Sequence, residues 1–360
     1  MKIGLVGLNQ TGKTTLFHLL TGREEEQAAS GKIGSNTGVG SVPDRRIDVL
    51  SRIYMPKKTT YAQIEFTDVV GFSATADGQK SGAAKFLNDV RPCDALVHVL
   101  RAFSSDDVIH EQGSIDPARD LEAVEMEMLF ADLELVEKRI NRIKTGKKIP
   151  KENADELERL ERSFTWLEGN GTMRDMPLTQ EERSAMRNYA FLTEKPRLAV
   201  LNLDESQYKS KDYPGKAALA ELCGRLNIPL LELCAGMELE ISRLQEEDKL
   251  LFMEDLGLAE PGVAVLARAV YRHLGLISFL TAGEDEVRAW TIEDGTPARA
   301  AAAKIHSDIE RGFIRAEVMK FKDIEELGTM VKVKEKGLFR LEGKEYVVLD
   351  GDIINFRFNV

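Results

Sequence analysis

The chain has 360 residues, with 49 Lys and Arg against 60 Asp and Glu and a formal charge of −11. That length exceeds one ordinary hydrophobic core, so two or three domains are expected. The 43% hydrophobic and 30% charged content excludes a disordered or collagen-like chain, the acidic balance excludes a generally basic nucleic-acid coat, and no apolar run reaches the ~18 residues a bilayer crossing needs, so a cytoplasmic protein without membrane attachment is expected.

In chain order, Lys2 to Gly7 is a short run rich in β-formers and Thr14 to Leu20 has helical character, with a glycine-bounded loop between them: strand, loop, helix. Met1 to Phe17 is broken by Asn9, Gln10 and Lys13 and reads as a mature N-terminus, not a signal peptide. Ala62 to Phe66, Ala95 to Leu100, Leu198 to Leu201 and Leu230 to Leu233 suit buried parallel strands with helices between them, which predicts a doubly wound α/β sheet. From about Asp120 to Leu192 the texture turns charged, helical and nearly free of glycine. Leu129, Leu133, Val136, Ile140 and Ile143 recur there at helical spacing, which predicts an antiparallel helical hairpin inserted into the sheet domain.

Gly262 to Leu274 is a helical connector. Beyond it, Glu286 to Ile292 and Arg315 to Phe321 are predicted strands around a helix with Thr296 as N-cap and Pro297 at its first position. Tyr346 to Leu349, an Asp350-Gly351 turn and Ile353 to Phe358 predict a closing hairpin of a small α+β domain. The expected domains are therefore 1–118 with 193–277, an insertion at 119–192, and 278–360. Cys93, Cys223 and Cys234 lack C-x-x-C spacing and sit among apolar neighbours, predicting buried reduced thiols.

Gly7-Leu8-Asn9-Gln10-Thr11-Gly12-Lys13-Thr14 fits G-x-x-x-x-G-K-[ST], after a strand and before a helix as the motif's mechanics demand. Backbone N–H groups of such a loop wrap phosphates, Lys13 neutralises β and γ oxygens, and the Thr14 hydroxyl ligates Mg²⁺. Asn9 through Thr15, that is Asn9, Gln10, Thr11, Gly12, Lys13, Thr14 and Thr15, are the expected phosphate-side residues. Asp68-Val69-Val70-Gly71 ends a predicted strand, so Asp68 can reach Mg²⁺ and Gly71 the γ-phosphate. Phe72 stands where many switch enzymes carry a water-orienting Gln, and an apolar ring cannot position water.

Asn202-Leu203-Asp204-Glu205 stands where guanine-specific proteins have Asn-Lys-x-Asp, with Leu203 for the Lys and Glu205 one methylene longer than the Asp, so weak guanine specificity is expected. Cys234-Ala235-Gly236 ends the next strand and is the expected wall of the base pocket.

On these residues the chain resembles the YchF family of Obg-related translation-factor NTPases. Further anchors are Phe279 to Gly283, Val287 to Thr291, Gly295, Lys304-Ile305-His306, Gly312 to Ala316, Asp350-Gly351-Asp352 and Asn355-Phe356, which are similar to the family's TGS domain. The resemblance implies a doubly wound P-loop NTPase domain, an inserted coiled-coil hairpin and a C-terminal ubiquitin-like TGS domain, binding ATP and GTP, often favouring ATP, and associating with the ribosome. It implies that Asn202 and Glu205 read the base, that His110 assists hydrolysis from a mobile loop, and that Phe103 lies near the nucleotide. His98 reads as a core histidine. One departure marks a diverged paralogue: Ser30 to Ser35 precede Asn36-Thr37-Gly38, and Lys32 stands where the family's switch Thr is expected.

Three functions compete: a slow ATPase/GTPase switch with a translation-related partner, a non-hydrolysing nucleotide sensor, and a small-molecule phosphotransferase. The base motif and the TGS-like region disfavour the third. Arg139 to Lys151 carries six Lys or Arg and no acid, predicting a ribosomal RNA contact at the hairpin tip, with cationic capping of a helix end as the competing explanation.

Overall fold

The computed structural model describes residues 1–23, 36–69, 71, 86–105, 108, 110–146 and 151–359, the side chains of 151–153 and 246 excepted. They form two compact units, Met1–Gly38 with Glu65–Val263, and Val39–Ile64 with Ala264–Val360.

The first unit is built on a six-stranded sheet in the order β2 (Asn36–Val42), β4 (Ala62–Asp68), β1 (Lys2–Val6), β5 (Ala95–Arg101), β6 (Arg197–Asn202) and β7 (Leu230–Leu233), with β2 and β4 running across the division between units. β1 is parallel to both β4 and β5, β6 to β5, and β7 to β6. Every residue of β5 and β6 is buried, the polar His98, Arg101, Arg197 and Asn202 included, as befits central parallel strands that are otherwise apolar. The register aligns Leu5 with Asp68, Arg101 with Asn202, and Asn202 with Leu233, so the loops leaving the strands' carboxyl ends share one edge. Open α/β sheets bind ligands at that edge.

The predicted hairpin is present as α3 (Pro117–Lys144) and α4 (Lys151–Glu168). Asp116 caps α3 by accepting from the Arg119 N–H at 3.1 Å, and Pro117 takes the first helical position, where its missing N–H costs nothing. Leu129, Val136, Ile140 and Ile143 are buried against Leu160 and Leu167 of α4, while Leu133 is only partly buried. Nearer its start, α3 packs Val124 and Met128 on Val6 and Leu96 of the sheet, so the hairpin is continuous with the first unit's core. Asp132, fully buried, fastens the return: its carboxylate accepts from the N–H groups of Leu192 and Thr193 and from the Thr193 hydroxyl at 2.8 to 3.0 Å. His98 is fully buried beside Glu125 of α3, which also pairs with Arg197 of β6. The three cysteines are free and buried.

The second unit carries the sheet β11 (Arg340–Glu342), β10 (Phe313–Lys320), β12 (Asp352–Phe358), β8 (Leu276–Ala282), β9 (Glu286–Glu293) and β3 (Lys58–Thr60), in that order. Its boundary departs from the expected one at 277/278. Residues 39–64 join it because α2 (Arg45–Tyr54), capped by Asp44, buries Ile47 and Leu50, while β3 adds to β9 in parallel. Arg46 also bridges Asp44 and Asp350 at 2.8 Å each.

Two local expectations are corrected. The helix after β9 is Ala298–Ala303 with Pro297, not Thr296, at its N-cap. The Thr296 hydroxyl donates to Glu293 O, and residues 296–298 are held extended by backbone bonds to Tyr346 and Val348. Those same bonds pair residues 346–348 with 296–298 and not with β12, so the expected hairpin does not form. The Asp350-Gly351 turn stands, with Gly351 at φ 84°, but β12 pairs antiparallel with β10 and parallel with β8.

Candidate functional site

Gly7, at φ 147°, follows β1 so tightly that a Cβ there would lie 2.4 Å from Val99 O. Gln10 and Gly12 also take positive φ, 60° and 94°, and Gly12 caps α1 (Lys13–Thr21) without a side chain. That curl presents successive N–H groups at the start of α1, an arrangement that attracts anions through both hydrogen bonding and the helix dipole. A Cβ on Gly12 would meet Asn202 Nδ2 at 2.4 Å, so glycine is required twice over. Asn9 and Gln10 are exposed at the tip, Thr14 is exposed, and Thr15 is half-buried. The buried Thr11 turns its hydroxyl back to Leu8 O.

Lys13 is 6% exposed and donates to Leu8 O at 2.5 Å, folding its ammonium back over the loop. Burial pushes its pKa down to about 8, against the opposing pull of the Asp68 and Glu111 carboxylates. A cation so desolvated, with one backbone acceptor, favours any ligand that brings negative charge. Next to it, Thr14 Oγ1 donates to Asp68 Oδ2 at 2.8 Å. Burial raises the Asp68 pKa, while the Thr14 bond and Lys13 work against that rise. One hydroxyl and one carboxylate in contact are the protein's usual share of a Mg²⁺ site, the remaining ligands being phosphate oxygens and water. No cluster of three or more His, Cys, Asp or Glu able to hold a metal without a substrate occurs among the described residues. The donor set therefore fits Mg²⁺ delivered with a polyphosphate.

Gly71 comes close to the loop: a Cβ there would lie 2.0 Å from Asn9 Oδ1. Thr37 lies on β2 with its hydroxyl 3.4 Å from that of Thr67, so it extends a strand and does not arch over the phosphate loop. Lys32, Phe72, Lys147, Lys148 and Pro150 lie outside the described residues.

At the base end, Asn202 is 5% exposed and ties two elements together, donating from Nδ2 to Thr11 O at 3.1 Å and accepting at Oδ1 from the Ala235 N–H at 3.0 Å. It locks the phosphate loop to the start of α6 (Ala235–Arg243), whose N-cap is the buried Cys234 and whose second residue is Gly236. Burial raises the Cys234 thiol pKa, keeping it uncharged. Phe103 follows β5, its N–H bonded to Asn202 O and its ring under the Arg101 guanidinium at 4.5 Å.

Leu203 and Glu205 are placed differently from what their motif positions suggest. The Leu203 side chain, 2% exposed, packs among Leu100, Leu201 and Leu219 in the core. Glu205 begins α5 (Glu205–Ser210), and its carboxylate pairs with Lys209 at 2.6 Å on the surface. Asp204 caps that helix by accepting from the Gln207 N–H and the Ser206 hydroxyl.

His110 is also engaged. Its Nε2 is 3.0 Å from Asp120 Oδ2, at the start of α3, and its Nδ1 accepts from the Gln112 N–H at 3.2 Å. Both ring nitrogens are thus committed, with Nε2 the donor and Nδ1 the acceptor. The next residue, Glu111, carries no motif signal, yet its Oε1 accepts from Asn9 Nδ2 at 3.2 Å, at the tip of the phosphate loop. Glu111 was not identifiable from spacing, since it meets Asn9 across 102 positions of chain.

The family described as 50S ribosome-binding GTPase matches residues 2–132. The YchF-GTPase_C family, described as a protein of unknown function (DUF933), matches 276–359. The chain is similar to the ribosome-binding ATPase YchF of Haemophilus ducreyi at 42% identity, covering 100% of this chain and 99% of the relative. It is similar to those of Bacillus subtilis at 41%, covering 99% of each, and Escherichia coli O157:H7 at 39%, covering 100% of this chain and 99% of the relative. Its fold is similar to that of the Schizosaccharomyces pombe YchF GTPase, with a TM-score of 0.86 at 28% identity over 99% of this chain and 97% of the other. Likeness of this extent in sequence and fold, through the phosphate loop, the hairpin and the second unit alike, means that the chain belongs to the YchF family.

Proposed function

We propose that this protein is a ribosome-associated P-loop NTPase that binds ATP and GTP with Mg²⁺, hydrolyses them slowly, and uses its nucleotide state to control its hold on the ribosome in the cytoplasm. The observation that carries the reading is the cradle at the start of α1: a desolvated Lys13 folded over the loop, beside a Thr14 hydroxyl 2.8 Å from the Asp68 carboxylate. In this reading Asn9 through Thr15 wrap the phosphates, Lys13 swings from Leu8 O to the β and γ oxygens, and Thr14 and Asp68 hold the metal, which supplies charge neutralisation at those oxygens. Gly71 lies within reach of the γ-phosphate end through Asn9. The base meets a pocket walled by Phe103, Leu203 backbone, Cys234, Ala235 and Gly236. Because Leu203 is in the core and Glu205 is paired with Lys209, the groups that would select guanine are not presented, which supports accommodation of both bases.

The names of the curated relatives, ribosome-binding ATPases, support the partner. Residues 1–118 and 193–277 would serve the nucleotide, and the hairpin at 119–192 and the TGS-like region at 278–360 the ribosome. Two of the tip's six cations are spent within the hairpin, Arg139 on Glu156 and Lys144 on Glu161, so a ribosomal RNA contact there would rest on the others.

A non-hydrolysing sensor is favoured by one feature, the engagement of both His110 nitrogens. The experiment is to measure binding and turnover of ATP and GTP with Mg²⁺, with and without ribosomal particles, and co-sedimentation with those particles in each nucleotide state. Triphosphate binding with measurable turnover and nucleotide-dependent sedimentation is expected. Tight binding with no turnover would select the sensor, and no nucleotide binding would overturn the reading.

A further inference from the structure

Glu111 is the one acidic side chain that reaches the exposed tip of the phosphate loop among the described hydrogen bonds. Its carboxylate accepts from the side-chain amide of Asn9 at 3.2 Å. Gly71 lies on the other side of Asn9, so close that a Cβ there would be 2.0 Å from the Asn9 Oδ1. The amide is thereby oriented, oxygen toward Gly71 and nitrogen toward Glu111. The same carboxylate lies close enough to Lys13 to oppose the loss of that group's charge. A negative group thus stands beside the ammonium and the loop tip that a triphosphate's terminal oxygens would approach.

Resting on the nucleotide reading above, we propose that Glu111 is an anionic guard of the γ-phosphate end of the site: a specificity-determining residue that weakens triphosphate binding relative to diphosphate. Two like charges brought together at a partly desolvated site repel far more than in water. A terminal phosphate must therefore displace the carboxylate from Asn9, while a diphosphate, ending one phosphate short of the loop tip, need not.

The test uses the full chain and measures ATP and ADP affinities with Mg²⁺ by calorimetry for wild type, Glu111→Gln and Glu111→Ala. Glutamine keeps an acceptor for Asn9 Nδ2 and removes only the charge. ATP affinity is expected to rise about tenfold in Glu111→Gln, with ADP affinity changed less than about twofold, and Glu111→Ala is expected to follow the same pattern. Equal changes for the two nucleotides, or none, overturn the proposal. A change in Glu111→Ala alone assigns Glu111 to tethering the loop, which also overturns it. Loss of turnover by two orders of magnitude in Glu111→Gln with unchanged binding would make the carboxylate a proton acceptor in hydrolysis instead, and so overturn it as well. Absence of ATP binding by the wild type is a separate outcome, failing the nucleotide reading itself and the guard with it.

Discussion

The two ends of the candidate site are built on different terms. At the phosphate end, backbone curvature and a few charged side chains are held ready: Gly7 and Gly12 in conformations that other residues avoid, Lys13 desolvated, and Thr14 on Asp68. At the base end, the motif's side chains have taken structural work, with Leu203 in the core, Asp204 capping α5, Glu205 on Lys209 and Asn202 locking the loop to α6. Binding energy should therefore concentrate at the phosphates and hardly depend on the base.

The sharpest way to break that contrast is at Lys13. Lys13→Ala is expected to lower ATP and GTP affinity alike by about a hundredfold or more, through loss of a charge-assisted contact in a buried site. Calorimetric titration with both nucleotides checks it, and a loss confined to one base would place the energy elsewhere. Next is Asn202→Ala, which strands a buried carbonyl and an N–H. It should cost about 1 to 3 kcal/mol in thermal stability and weaken both nucleotides equally. A selective loss of either base in that variant would return Asn202 to base reading.

The pH dependence is smaller. Lys13 is charged below its pKa of about 8, and phosphate favours the charged form. ATP affinity is then expected to be flat below about pH 7 and to fall as pH rises through 8 to 9, by up to about tenfold per unit. A titration series in that window tests the sign, and an affinity rising with pH would contradict it. Smallest of all, Glu205→Ala should change ATP and GTP affinity by less than about twofold, since an exposed pair with Lys209 contributes little and faces no base. A larger shift in the ratio of GTP to ATP affinity would show the carboxylate turning inward. Placing Lys at 203 is a poor way to restore guanine preference, because the position is core.

Local chemistry carried much of this protein in its sequence. The phosphate loop was legible because backbone curvature demands glycines at fixed spacing. The central strands were legible because burial on both faces leaves unbroken apolar runs, and the hairpin because a coiled pair needs a repeating stripe. Local pattern misled where a segment's hydrogen bonds are claimed from a distance, as at Thr296, whose neighbours pair with Tyr346 and Val348, and at the expected Tyr346 hairpin. The same holds for the assignment of residues 39–64, which read as part of the nucleotide domain until α2 and β3 are seen against the second sheet.

In the candidate site, sequence alone singled out the residues proposed to meet phosphate and metal. Tertiary structure decided which side chains are free to act: Leu203 is buried, His110 is bound to Asp120, and Glu111 reaches Asn9 across 102 positions of chain. The reason is physical. A phosphate cradle is made by consecutive backbone N–H groups and so is written in consecutive residues, whereas the charge around it is set by groups that only the folded chain brings within a few ångströms.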